Sequence, residues 1–261
     1  LNIVVCIKQV PNTNEVKLDP KTGTLIREGV PSIINPDDKA GLEAALRLKD
    51  AQGAHVTVLS MGPPQAEAAL REALAMGADE AVLVTDRAFG GADTWATAHT
   101  IAAALKKLPY DLIITGRQAI DGDTAQVGPQ IAENLNIPNI SYAEEIKVEG
   151  GYVTVKRQFE DRYHLVKAKL PCLITALSEL NEPRYMTPGG IFDAYREKEI
   201  RTITRKDLDV ADGDIGLKGS PTRVVKTFTK SPKAAGTLVS NLNPQEAAEY
   251  MLEKLKEKFI I

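Results

Sequence analysis

Residues 112–129 read LIITGRQAIDGDTAQVGP. The run Leu112 to Thr115 is short and uniformly apolar or β-branched, the mark of a central strand covered on both faces rather than an alternating, half-exposed one. A glycine stands at the strand end, acidic and small residues fill the turn, and a helix start is expected near Ala125. In an open α/β sheet, ligands lie at the carboxyl ends of strands, where the amides of the following helix face them. Gly122 and Gly128 permit close backbone approach. Thr124, Gln126 and the amides of Ala125, Gln126, Val127 and Gly128 can donate to phosphate oxygens, with Gly116 and Gln118 completing the loop. Asp121 and Asp123 cannot attract phosphate and are assigned to turn geometry, amide orientation or a ribose hydroxyl. The same residues also describe a tight βα turn with a capped helix and no ligand, so the pattern alone leaves both readings open.

Working outward, the first half repeats one unit: a short β-branched run, a turn rich in Gly, Pro or Asp, then a segment with helical spacing. Strands are expected at Ile3 to Ile7, Val56 to Ser60 and Ala81 to Val84. Leu42, Ala45, Leu46 and Lys49 mark one helix, with Asn35 as its capping side chain and Pro36 in its first turn. Ala66, Ala69, Leu70, Ala73 and Leu74 stripe a second, which Gly77 stops. VKLDPKTGTLIRE reads as a small inserted hairpin turning over Asp19 to Gly23. A mostly parallel, Rossmann-like sheet with crossover helices follows. Three further strand and helix ends then converge on the crevice beside the loop: Cys6 to Gln9, Asn35 to Lys39 with Pro36 and Asp37, and Ser60 to Pro63 with Met61 and Gly62. FGGADTWATA, Phe89 to Ala98, is a second glycine-containing helix start capped by Asp93 or Thr94. It reads either as an ordinary turn with Trp95 covering core, or as a second polar wall whose Thr94 and Thr97 hydroxyls meet a larger ligand.

After about Asn136 the pattern changes to period-2 alternation, at Glu145 to Val148, Tyr152 to Gln158 and Tyr163 to Lys169, with Gly150-Gly151 as a turn. This is an antiparallel extension of the sheet. A buried run, Cys172 to Ala176, precedes NEPRYMTPGGIFDAYREKEI, which joins loop chemistry to a short amphipathic helix. Asp209 to Ser220, rich in Asp and Gly, reads as a flexible connection. The terminal helix, Pro244 to about Lys258, carries Met251, Leu252, Leu255 and Phe259 on one side and needs a cover. The expected organisation is a nucleotide-binding α/β domain over 1–208 and a linker with a C-terminal arm over 209–261.

The 261 residues are 43% hydrophobic with a net charge of -3, which describes a folded chain without a broad basic face for nucleic acid. Cys6 and Cys172 sit in apolar runs, not in a CxxC pair, and the dispersed His55, His99 and His164 have no metal-ligand spacing, so no metal site is expected. The sequence starts directly on a strand and no apolar run approaches the ~20 residues of a bilayer span. The expected compartment is the cytoplasm. No Walker motif, GxGxxG after the first strand or GxSxG elbow is present, so hydrolase and kinase machinery is not visible and no catalytic side chain is assigned.

VVCIKQVP, INPDDKAGLEAALRLK, SMGPPQAEAALREALAMGADEAVLV, GRQAIDGDTAQVGPQIAE and LPCLITALSELNEPRYM, in that order, closely resemble the beta subunit of electron transfer flavoproteins over nearly the whole chain. The resemblance implies a heterodimer whose alpha subunit carries a redox FAD, the beta subunit holding AMP or, in one branch, a second FAD. It places nucleotide contacts on Cys6, Asn35, Met61 and the loop Asp123 to Gly128. It also places docking of partner dehydrogenases on Tyr185, Met186, Thr187, Pro188, Gly189, Gly190, Ile191, Phe192 and Tyr195, where Pro188 stands in place of the leucine of housekeeping relatives. Those relatives have a bulkier, more polar DDDxNQTG-like loop, and GGADTWATA is similar to the electron-bifurcating version. The resemblance therefore favours FAD, with Thr94 and Thr97 as extra contacts. It implies hydride from NADH, one electron to ferredoxin or flavodoxin, and the other through the alpha-subunit FAD to an acyl-CoA dehydrogenase. The alternatives are a housekeeping subunit with structural AMP and a free-standing adenine-nucleotide sensor.

Overall fold

The structure is a computed structural model that describes residues 1–12, 31–223, 225 and 235–261; the expected hairpin over residues 19–23 lies outside the described residues. The chain divides into two compact units, Leu1–Val225 and Lys226–Ile261.

The first unit is built on β1 (Asn2–Cys6), β2 (Gln9–Pro11), β3 (Ser32–Ile34), β4 (His55–Met61), β5 (Glu80–Val84) and β6 (Leu112–Gly116). β7 (Asn139–Glu149), β8 (Tyr152–Gln158), β9 (Tyr163–Lys169), β10 (Cys172–Ala176) and β11 (Ile200–Ile203) follow. Its helices are α1 (Pro36–Gln52), α2 (Glu67–Met76), α3 (Thr94–Leu105), α4 (Val127–Leu135), α5 (Pro188–Arg196) and the single turn α6 (Gly216–Gly219). A nine-stranded sheet has the order β11-β5-β4-β1-β6-β10-β7-β8-β9, and β2 and β3 form a separate antiparallel pair.

Every pairing from β11 to β7 is parallel, and the hairpins β7-β8 and β8-β9 are antiparallel. The mostly parallel α/β architecture and the antiparallel extension are thus as the periodicities indicate. Gly150 and Gly151, both at positive φ (59 and 79), make the β7-β8 turn, the backbone that a two-residue hairpin with the right-handed strand twist requires.

Alternation along the central strands divides the core. Ile3 and Val5 of β1 and Leu112 and Ile114 of β6 face one apolar layer with the α1 and α2 stripes, including Leu42, Leu46, Leu70 and Leu74. Val4, Cys6 and Ile113 face the other, with Ala98 and Leu105 of α3 and Ile131 of α4. With both faces covered, the strands are uniformly apolar. Since α1 follows β1 on one face and α4 follows β6 on the other, the connections diverge between these two adjacent strands. That is the switch point at which open α/β sheets form their crevice.

Two expectations fail. Residues 209–220 are not a loose connection: Ile215 and Ser220 are buried, Leu217 N–H donates to the Gly90 carbonyl, and Gly216 lies so close to the Ala88 carbonyl that a Cβ would approach it to 2.1 Å. The Asp/Gly composition concealed a packed segment, and the division between units falls after Val225. Trp95 does not cover core. It is 37% exposed and stacks on His99 one turn along α3, ring centroids 5.3 Å apart.

In the second unit, α7 (Pro244–Glu257) starts with a capping box in which Asn243 and Glu246 bond each other's backbone N–H. Met251, Leu252, Leu255 and Phe259 are exposed. Among the described residues no helix is long and apolar enough to cross a membrane.

Candidate functional site

The crevice is assembled from the carboxyl ends of β1, β4 and β6 and the starts of α1, α3 and α4. Asn35 precedes α1 where a capping side chain was expected, yet it caps nothing. Its amide instead bridges to the loop after β6, donating to the Gln118 carbonyl at 2.8 Å and accepting from the Ile120 N–H at 3.1 Å. This corrects the capping assignment. Residues at helix starts are recognised by local statistics, and these partners are distant in sequence.

Asp38, in the first turn of α1, reinforces the same junction. Its carboxylate accepts the Lys8 N–H at 2.8 Å just after β1 and the Gly116 N–H at 2.9 Å at the end of β6. One buried carboxylate thus ties together the two strands between which the connections diverge. Burial pushes its carboxyl up from 3.8 to about 7, against the opposing effect of the hydrogen bonds it accepts from Lys8 and Gly116. Next to it, the Asp37 carboxyl is raised by burial, the Arg117 guanidinium opposing. Asp37 and Arg117 stand 3.5 Å apart, and among the described residues Asp37 Oδ2 and Arg117 Nε are both buried without a hydrogen-bond partner.

The loop is held at several further points. Lys8 Nζ bonds both Asp121 oxygens at 2.7 and 2.9 Å, and Gln118 bonds Asp123. Asp123 and Ala125 take positive φ (54 and 53), a conformation that costs a residue with a Cβ and persists only where its surroundings enforce it. Helix α4 starts at Val127, two residues later than expected, after Gln126 in αR conformation. Successive residues of opposite backbone hand turn their N–H groups inward to form an anion-binding concavity. Among the described residues the amides of Thr124, Ala125 and Gln126 donate to no protein acceptor, and those of Val127 and Gly128 head the first turn of a helix, where no intrahelical acceptor exists.

The second helix start joins the first. Thr94 Oγ1 donates to Gln126 Oε1 at 2.9 Å, and Asp93 caps α3 by accepting the Ala96 N–H at 3.0 Å. The opposite Asp93 oxygen accepts the N–H and hydroxyl of Thr222.

Other expected residues fall around this frame. Cys6 is buried at the end of β1, and burial, then the Asp38 charge, pushes its thiol up to about 12. Met61 at the end of β4 and Gly62 after it are half-buried, Pro36 is exposed at the head of α1, and Thr97 is half-buried one turn into α3. Lys39 pairs with Glu72 of α2 at 2.6 Å. Gly128 has a packing role: a Cβ there would come within 2.6 Å of Thr115 Oγ1 and 2.8 Å of Thr175 Cγ2. Gly122 has nothing within 4 Å of a Cβ. Sequence reasoning gave Lys8, Asp38 and Arg117 no role of their own, although Lys8 and Asp38 fall in the ranges expected at the crevice. The Pro-Asp-Asp start of α1 was a visible signal, but acidic residues in a first turn ordinarily face solvent and the dipole. Among the described residues no group of three or more His, Cys, Asp or Glu is arranged to hold a metal ion.

A second surface comprises residues 185–195. Tyr185, Met186, Ile191, Phe192 and Tyr195 are exposed, Tyr185 at 95%. Thr187 caps α5, accepting the Gly190 N–H at 2.9 Å. Gly190 lies against the Ala75 carbonyl, which a Cβ would approach to 2.3 Å.

Comparison with known proteins gives these features a context. The family model described as electron transfer flavoprotein domain matches residues 22–208. The electron transfer flavoprotein subunit beta of Clostridium acetobutylicum is 60% identical over the full length of both chains. The caffeyl-CoA reductase-Etf complex subunit CarD of Acetobacterium woodii is 55% identical, and the acryloyl-CoA reductase electron transfer subunit gamma of Anaerotignum propionicum 48% identical, each again over all of both chains.

Proposed function

The chain belongs to the electron transfer flavoprotein family, and from that premise we propose that it is a cytoplasmic beta subunit whose crevice holds FAD in an electron-bifurcating complex. The observation that carries this reading is the bond between Thr94 and Gln126. It joins two helix starts into one polar wall, longer than a single phosphate group needs and suited to a dinucleotide. The amides after Asp123, unpaired among the described residues, and the Arg117 guanidinium suit its diphosphate.

When bound, FAD would supply the redox chemistry: hydride acceptance from NADH and one-electron transfer both to a low-potential acceptor, ferredoxin or flavodoxin, and to the alpha-subunit FAD serving an acyl-CoA dehydrogenase. This chain binds and orients. The amides of residues 124–128 hold phosphate oxygens, with Gly116, Gln118, Asp121, Asp123 and Asn35 fixing the loop that presents them. Asp37 and Pro36 at the head of α1, with Cys6, Met61 and Gly62, wall the nucleoside side, and Thr94 and Thr97 make the additional contacts. Residues 185–195 dock the dehydrogenase, and the alpha subunit covers the apolar stripe of α7. No side chain need act as nucleophile or proton relay, since the flavin would supply the redox chemistry.

The complex with its alpha subunit, mixed with NADH in a stopped-flow spectrometer, should lose flavin absorbance rapidly. An unchanged spectrum would overturn the bifurcating reading in favour of the alternative, a housekeeping subunit holding AMP.

A further inference from the structure

We propose that Arg184 and Glu43 form a positioning clamp that presets the segment 185–195 for its partner. The inference rests on the reading of that segment as the docking site and goes beyond it by naming what holds it in shape. Glu43 lies in the middle of α1 with its side chain only 4% exposed. Its carboxylate is one half of a forked pair: Arg184 Nε meets Oε2 at 2.8 Å and Nη2 meets Oε1 at 3.2 Å. The Arg184 backbone N–H also donates to Oε2 at 3.1 Å, so the same carboxylate fixes main chain as well as side chain. Burial raises the Glu43 carboxyl, but the hydrogen bonds from Arg184 and Arg47 outweigh it and hold the group below its usual range.

Glu43, Arg47 and Asp50 follow one another at i, i+4 and i+7 along α1, so they share a face. Arg47 holds Glu43 at 2.9 Å and Asp50 takes Arg184 Nη2 at 2.7 Å. Asn181 donates to the Ala40 carbonyl one turn earlier. The approach to the docking segment is therefore fixed to α1 immediately before the fully exposed Tyr185. Its far end is fixed to α2: Arg71 donates to the carbonyls of Ala194 and Lys198. Between the two anchors stand the exposed Tyr185, Met186, Ile191 and Phe192.

An exposed apolar surface gains affinity when it is already ordered before binding, because the ordering entropy is not lost on association. The head of α1 carries Asn35 and Asp38, which hold the phosphate loop. One helix thus fixes both the nucleotide crevice and the base of the docking segment. A fork of two parallel N–H bonds is available to arginine and not to lysine, so the clamp has a chemical signature that bulk or charge alone does not reproduce.

The test uses the complete complex with its alpha subunit and a purified acyl-CoA dehydrogenase, comparing wild type with Glu43→Gln, Arg184→Lys and Phe192→Ala. Glu43→Gln and Arg184→Lys should each raise the KM for the dehydrogenase about tenfold with kcat and bound nucleotide unchanged, the split expected when binding alone is weakened. Amide hydrogen exchange at residues 185–192 should quicken in both, leaving the loop at 116–128 as protected as before. If Phe192→Ala raises KM while Glu43→Gln leaves both KM and exchange unchanged, the docking reading stands and the clamp is refuted. If Phe192→Ala has no effect, the docking reading itself fails and the clamp loses its role. Loss of nucleotide and kcat together with KM would reduce the pair to general stability, which also overturns the proposal.

Discussion

Asn35 and Asp38 show what single residues do here beyond what their positions announce. Asn before Pro reads as a helix cap, and the sequence placed it correctly at the head of α1; its amide nonetheless bonds Gln118 and Ile120. The acid after Pro36-Asp37 reads as a dipole partner, yet Asp38 is buried and bonds the ends of β1 and β6. Neither partnership is legible locally, since each depends on the crossover that returns the chain beside β1. Asp38 also gives a prediction. Its folded carboxyl titrates at about 7 against 3.8 for the free group, so between these values the folded chain binds a proton more firmly than the unfolded chain. The stabilisation from protonated Asp38 is complete below 3.8 and is lost as pH rises to about 7. Asp38→Asn does not titrate there. Urea unfolding of both should show wild type losing stability relative to the variant across that window, with no further relative change above it; a pH-independent difference would contradict the assignment.

The elements were largely legible and their junctions were not. Uniform apolar runs located β1, β4, β5, β6 and β10 within a residue or two, because a strand buried on both faces has little choice of side chain. The segment 209–220 was misread because small and acidic residues resemble a linker even where Ile215 is anchored. Gly122 and Gly128 of the loop after β6 divide in the same way, identical in sequence and opposite in role. Gly128 lets α4 lie against Thr115 and Thr175, whereas Gly122 faces open space. Gly128→Ala should therefore destabilise the fold by about 1–3 kcal/mol, the usual range for overpacking a tight contact. Gly122→Ala should move the urea midpoint little. Equal effects from both would mean that α4 does not sit where the structure has it. For the same reason Gly128 is a poor handle on nucleotide affinity; Thr94→Ala with Gln126→Ala alters the wall while sparing that contact.

At the scale of the molecule, the parallel sheet, its reversal between β1 and β6 and the crevice they make follow from the repeated strand–helix unit and from Gly116 onward in the loop. What no local pattern supplied is the joining of α3 to that loop through Thr94 and Gln126, on which the choice of ligand turns. On the proposed reading a single helix start would suffice for AMP, and two joined ones suit FAD. The apolar face of α7, exposed in the second unit, suits the proposed partnership with an alpha subunit. The most direct measurement is to purify the complex with that subunit, denature it in acid and separate the released nucleotides. FAD in both subunits predicts two FAD per heterodimer and no AMP, while one FAD accompanied by one AMP would contradict the account.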